Sequence, residues 1–169
     1  MRHSKSSRDA ARPNATAETS AGARVAAHSE ILRLIASHTP LPTTLLTVSE
    51  LVERELPGVR AAILLRTPDG EHLSVAAAPS LPAQFVAAID GDNIGPQAGP
   101  SGLAAHERRV EIRTDIARDP AWPSGREAAE AIGLASCWAT PFVGAHDEVL
   151  GAFAVYLTES RAPTADELT

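Results

Sequence analysis

The chain has 169 residues, a formal net charge of −6 and one cysteine, Cys137. That length fits one domain of ~140 residues plus a tail, enough to bury roughly 70% of the unfolded surface without a disulfide or metal. The acidic balance argues against a nucleic-acid footprint, a lone thiol excludes an internal disulfide, and no apolar run approaches the ~20 residues of a membrane span. The N-terminus is basic and polar, without the apolar core of a signal peptide.

Residues 1–22 are Ser, Ala, Arg, Asn and Thr with almost no large apolar side chain. Such a segment cannot offset its ordering entropy, and disorder is expected. The domain is expected over 23–169. Ile31, Leu34 and Ile35 then fall at helical spacing, closed by Pro40 and Pro42. Pro42 suits the first turn of a second helix, whose apolar face is Leu45, Val48, Leu51, Val52 and Leu56. Ala61-Ala62-Ile63-Leu64-Leu65 reads as a buried strand, Pro68-Asp69-Gly70 as a turn, and Leu73 to Ala77 as the returning strand.

Pro82 opens a short helix carrying Phe85, Val86 and Ile89. Residues 91–102 form a loop with four glycines and two prolines, and a short helix starts at Gly102. Val110-Glu111-Ile112 alternates as a strand does, and residues 115–122 are polar and end in Trp122. A helix over 124–132 turns Ala128, Ala129 and Ile132 inward and stops at Gly133. Two apolar runs, 134–143 and 149–156, joined by a short polar turn, read as a hairpin at the centre of a sheet. Thr164 and Glu167 have capping-box spacing for a last helix. The element order defines an α+β fold with an antiparallel sheet between two helical layers.

Several of these stretches carry a resemblance. Gly133-Leu134-Ala135-Ser136-Cys137-Trp138-Ala139-Thr140-Pro141-Phe142 is followed by Val149-Leu150-Gly151-Ala152-Phe153-Ala154-Val155-Tyr156 and Arg161-Ala162-Pro163-Thr164. Together they resemble the C-terminal half of a bacterial GAF domain. Ala77-Ala78-Pro79-Ser80-Leu81-Pro82, Ile94-Gly95-Pro96 and Asp115-Ile116-Ala117-Arg118-Asp119-Pro120-Ala121-Trp122 follow the family's order, so the likeness runs from about His28 to Thr169. It implies the GAF-like sandwich, with loops 91–102 and 115–124 folded over a ligand cavity.

The resemblance also sorts the chemistry. A free methionine sulfoxide reductase in this fold uses several cysteines, whereas this chain has only Cys137, in a strand where a buried, inert thiol is the commoner reading. Bilin-binding relatives place a histidine after the attachment cysteine, but Trp138 follows Cys137 here. In haem-binding relatives the axial histidine lies in the segment matching 122–135, which has none; His106 is the remaining candidate. Cyclic-nucleotide members carry an Asn-Lys-Phe-Asp-Glu brace, and the sole lysine here is Lys5, in the tail. Where near relatives read Gly-Ser-Cys-Gly, this chain has Gly99-Pro100-Ser101-Gly102, so Ser101 replaces the family cysteine.

The leading expectation is a non-catalytic sensory domain that binds a small cytoplasmic molecule and signals to a partner or output domain. That output would be a kinase, a cyclase or phosphodiesterase, or a transcriptional module outside this chain. Ser101, Asp115, Trp122, Arg126, Trp138 and Thr140 are the candidate ligand contacts. Asp115 is expected to bond backbone amides, Arg126 to meet a ligand or pair with Asp119, and Trp122 to act as a lid or a loop anchor. The second reading is a ligand-free interaction module, dimerising through the N- and C-terminal helices. A redox or haem sensor through Cys137 or His106 is a minor third. No cofactor is identified, and neither nucleic acid nor membrane is expected as a partner.

Overall fold

The computed structural model describes residues 26, 29–120, 122–164 and 167, so the tail read over 1–22 lies outside the described residues. The chain divides into two units, Met1–His38 and Thr39–Thr169. In the first, helix α1 is described over 29–36 and ends in a turn where the Ser37 hydroxyl donates to the Leu34 carbonyl at 3.0 Å. Leu34 is buried, whereas Leu32 and Ile35 are 66% and 63% exposed.

The second unit begins with helix α2, Leu41–Glu55, with Pro42 in its first turn where no amide donor is missed. Strands β1 (Val59–Arg66) and β2 (His72–Ala77) form the first hairpin, and helix α3 spans Ala83–Ile89. Strand β3 (Asp92–Asn93), helix α4 (Pro100–Glu107), strand β4 (Glu111–Arg113) and a 3₁₀ turn (Ile116–Arg118) follow. Helix α5 (Pro123–Ala131) leads into the closing hairpin of β5 (Ser136–Val143) and β6 (Val149–Leu157). The strands form one sheet in the order β3-β2-β1-β6-β5-β4, antiparallel at each pairing. This is the expected α+β arrangement.

Strand alternation sends successive side chains to opposite faces. One face carries Val59, Trp138, Val155 and Leu157, with Val52 and Leu56 of α2 packed on them. The other carries Ala62, Leu64, Cys137, Ala152, Ala154 and Tyr156, met by Phe85, Ile89, Ala105, Ile116, Trp122 and Ala129 from the helices and loops. The register holds this division across strands, since Cys137 faces Tyr156 and Trp138 faces Val155. The two sides are called the α2 face and the loop face below.

Two elements differ from expectation within the loop 91–102. Asp92 and Asn93 pair with Leu73 and His72, because β2 would otherwise leave an open edge there. Helix α4 starts at Pro100, two residues before Gly102, because proline at the first helical position loses no hydrogen bond. In β4 the buried residue is Glu111, while Val110 and Ile112 are 39% and 37% exposed. Arg109 and Arg113 neutralise the Glu111 carboxylate at 2.8 and 2.9 Å.

The C-terminal segment is tied to the α2 face. Trp138 Nε1–H donates to the Arg161 carbonyl at 3.2 Å, and the Arg161 guanidinium lies 4.9 Å from the Trp138 ring centroid. Arg161 in turn holds Glu167 through two bonds of 2.9 and 2.7 Å. Glu167 Oε2 accepts from the Thr164 amide at 2.8 Å, as a capping box requires. These contacts hold the Glu167 carboxyl at about 2.

Trp138→Ala should lower unfolding stability by about 3–5 kcal/mol, the usual range for removing a large buried aromatic. Urea denaturation measures that loss. Proteolysis should also reach the segment beyond Leu157 first in this variant, since both of its ties to the ring are gone.

Candidate ligand site

On the loop face the central strands are paved with short side chains. Ala62, Ala139, Ala152 and Ala154 are all fully buried. Such a floor leaves space between sheet and helices, and in this structure side chains fill it. Phe85 of α3, Tyr156 of β6 and Trp122 pack edge to face, with Phe85 centroids 5.1 Å from Tyr156 and 6.3 Å from Trp122.

Trp122 is 3% exposed. Its indole passes close to two glycines, Gly99 just before α4 and Gly125 in the first turn of α5. A Cβ at either position would overlap the ring. The indole Nε1–H donates to Asp92 Oδ2 at 2.9 Å. Burial pushes the Asp92 carboxyl up from its ordinary value, and the bond from Trp122 offsets only part of that. Asp92 is therefore a carboxylate drawn into the protein by its single indole donor, at some cost in ionisation.

Behind the rings runs a short polar chain. The Tyr156 hydroxyl faces Ser101, at the start of α4, and its cross-strand neighbour Cys137. Burial drives the Tyr156 hydroxyl and the Cys137 thiol well above their usual values. A thiol held in its neutral form is a poor nucleophile and a poor metal ligand. Nearer β4, Arg113 joins Asp119 at 2.9 Å and Glu111 at 2.9 Å. Among the described residues no group of three or more His, Cys, Asp or Glu is arranged to hold a metal ion.

The sequence-derived contacts divide accordingly. Ser101 and Trp122 both lie on the loop face, Ser101 beside Tyr156 and Trp122 against Phe85. Trp138 lies on the α2 face beneath the C-terminal segment, because its neighbour Cys137 takes the loop-face position. Thr140 shares Trp138's parity and is exposed. Asp115 makes no side-chain cap to the turn that follows; it forms an exposed ion pair with Arg118 at 3.4 Å. Arg126 is half-buried on α5, and the guanidinium beside Asp119 is that of Arg113. His106 is exposed near the end of α4.

Asp92, Phe85 and Tyr156 are the residues the sequence reading did not single out for the site. Asp92 gave no signal, since its partner lies 30 residues on. Tyr156 was accessible in principle, because its parity on β6 follows once Cys137 is set opposite it.

With a curled antiparallel sheet, helices on both faces and a loop-covered interior, the fold is that of a GAF domain. The chain belongs to the GAF domain family, whose profile matches residues 38–169. It is 33% identical over 144 residues to the methyl sulfide methyltransferase-associated sensor of Methanosarcina acetivorans. That match covers 85% of this chain and 14% of the sensor, so the chain spans only a small part of its relative's length. The fold is similar to a GAF sensor protein from Burkholderia vietnamiensis, with a TM-score of 0.66, 23% identity and 88% and 85% of the two chains covered. It is also similar to fRMsr of Staphylococcus aureus in complex with substrate, with a TM-score of 0.64, 17% identity and 85% of each chain covered.

Two outcomes are expected here. Gly125→Ala should destabilise the domain by about 1–3 kcal/mol, the cost of forcing a methyl into a packed site, and shift indole fluorescence toward the red. Asp92→Asn keeps an acceptor for Trp122 but removes the titration. A carboxyl raised on folding favours the native state at acid pH, and that advantage disappears as pH rises through its folded value. The stability of wild type relative to Asp92→Asn should therefore fall with rising pH from its unfolded value upward. Denaturant midpoints at a series of pH values measure it, and a flat difference contradicts the assignment.

Proposed function

We propose that this GAF domain is a non-catalytic sensor whose small ligand enters the loop face by displacing the Trp122 indole. The observation that carries the reading is the slot itself. Two glycines make room for one flat ring, and a half-buried carboxylate, Asp92, takes the N–H at its polar edge. The ring sits on the short connection between the 3₁₀ turn and α5, on the loop side of the sheet.

Magnitudes narrow the ligand. Burying an indole removes roughly 150–250 Å² from water, worth about 4–6 kcal/mol at about 25 cal/mol per Å². A ligand that displaces it must recover a similar amount. It is therefore mostly apolar and planar, with a hydrogen-bond donor for Asp92; Ser101 and Tyr156 supply further polar contacts.

The response leaves through β5. Cys137 and Trp138 are adjacent residues facing opposite sides, one paired across the strands with Tyr156 in the site and the other clamped to Arg161 on the exit segment. A shift of β5 is felt by the segment leading toward an output domain or partner. The ligand is a cytoplasmic molecule in this reading, and catalysis is not needed, since the sole cysteine is held neutral.

Native mass spectrometry of the freshly purified protein tests this, together with fluorescence of a Trp138→Phe variant in which Trp122 is the reporter. The expected result is an extra mass that leaves on denaturation and a red shift of emission on rebinding. An apo mass, with emission fixed through a broad metabolite screen, contradicts it.

The exposed apolar residues Leu32 and Ile35 of α1 favour a second role as a homodimer through the N-terminal helix. Sedimentation should show a concentration-dependent dimer that Leu32→Asp abolishes.

A further inference from the structure

A second concavity lies on the same unit, at the C-terminal end of α4, away from Ser101 and Trp122. It is a cleft of about 400 Å³ lined by Arg66, Gly70, Glu71, Ile94, Ala105, His106, Arg108, Glu148 and Val149. That volume is in the range of small-molecule sites. Ile94, Ala105 and Val149 give it an apolar floor, and charges of both signs stand on its walls.

Those charges are positioned by their own turns and not by one another. Arg66 Nε–H donates to the Gly70 carbonyl at 3.0 Å, and a Cβ on Gly70 would collide with the guanidinium. Glu148 Oε2 accepts from the His146 amide at 2.9 Å, and a Cβ on Gly144 would collide with that carboxylate. Each charged group thus sits flat on a glycine of its own hairpin turn. Arg108 is held from outside the cleft by Asp147 at 3.0 Å. Both of these residues have left-handed backbone, φ 57° and 63°, which costs a side-chain-bearing residue energy and tends to persist where position matters. Among the described residues no ion pair joins Arg66 or Arg108 to Glu71 or Glu148, although all four line one cleft.

Charges of both signs line the cleft, so a ligand of one charge would meet like charge as well as opposite charge. We propose that this cleft binds a small zwitterion of the amino-acid class. Its carboxylate lies on Arg66 and Arg108, its ammonium on Glu71 and Glu148, and its side chain on Ile94, Ala105 and Val149. Guanidinium groups suit the first partner because their paired N–H donors match a carboxylate, and carboxylates suit the ammonium. The site is independent of the Trp122 slot: it shares no residue with it and opens at the opposite end of α4.

The test is amide and arginine side-chain NMR of the full chain, titrated with each of the common amino acids to about 10 mM, the weak end of measurable affinity. At least one should shift the signals of residues 105–108 and 148–149 and of the Arg66 side chain. Its N-acetylated and its amidated forms should each bind at least about tenfold more weakly. Arg66→Gln and Glu148→Gln should separately weaken the zwitterion to a similar degree. The proposal is overturned if no amino acid shifts these signals, or if the N-acetylated form binds equally well, which would make the cleft a simple anion site. Shifts centred on residues 95–101 would overturn it too, by assigning the amino acid to the indole slot.

Discussion

The contact on which the loop face depends is the Trp122 indole seated against Gly99 and Gly125, with its N–H on Asp92. Two stretches about 30 residues apart in sequence converge there: residues 92–99, from β3 to the approach to α4, and the start of α5. Remove the ring and a floor of alanines is left open. Add a methyl to either glycine and the ring must move. Residues 91–102 and 115–124 are therefore shaped around one side chain. Gly99 in the first of these stretches and Gly125 in α5 are the two glycines whose close approach admits the ring.

The second constraint is parity along β5. Because consecutive residues face opposite sides, Cys137 belongs to the interior of the site and Trp138 to the anchorage of the exit segment. A sensor needs its ligand and its output on different surfaces, joined by something stiff. A strand hydrogen-bonded on both sides, to β4 and β6, supplies that. In the function proposed above, the buried Tyr156–Cys137 pair on one side and the Arg161–Trp138–Glu167 cluster on the other would be the two ends of that connection.

Much of the fold was legible in the sequence, because its signals are local. Proline placement opened α2 and α3, the Pro68-Asp69-Gly70 turn closed the first hairpin, and the two apolar runs after Gly133 made the second. The candidate site was less legible. Ser101 and Trp122, expected from motif order, do lie on the loop face, but the face each strand residue takes depends on register. Register separates Trp138 and Thr140 from Cys137 and Tyr156. Glu111 looked like the exposed member of an alternating strand, because the arginines that neutralise it cannot be seen without the fold. Asp92 shows the limit most clearly: its short strand and its indole partner are both tertiary facts.

The account's central claim is that the indole of Trp122 is a displaceable occupant and not a fixed part of the core. Hydrogen exchange of its Nε1–H tests this most directly. If the segment opens locally, that proton should exchange at least about 100-fold faster than the backbone amides of Cys137 and Tyr156, with little dependence on denaturant. Exchange at the same rate as those amides, and only through global unfolding, would make Trp122 a structural core residue and contradict the account.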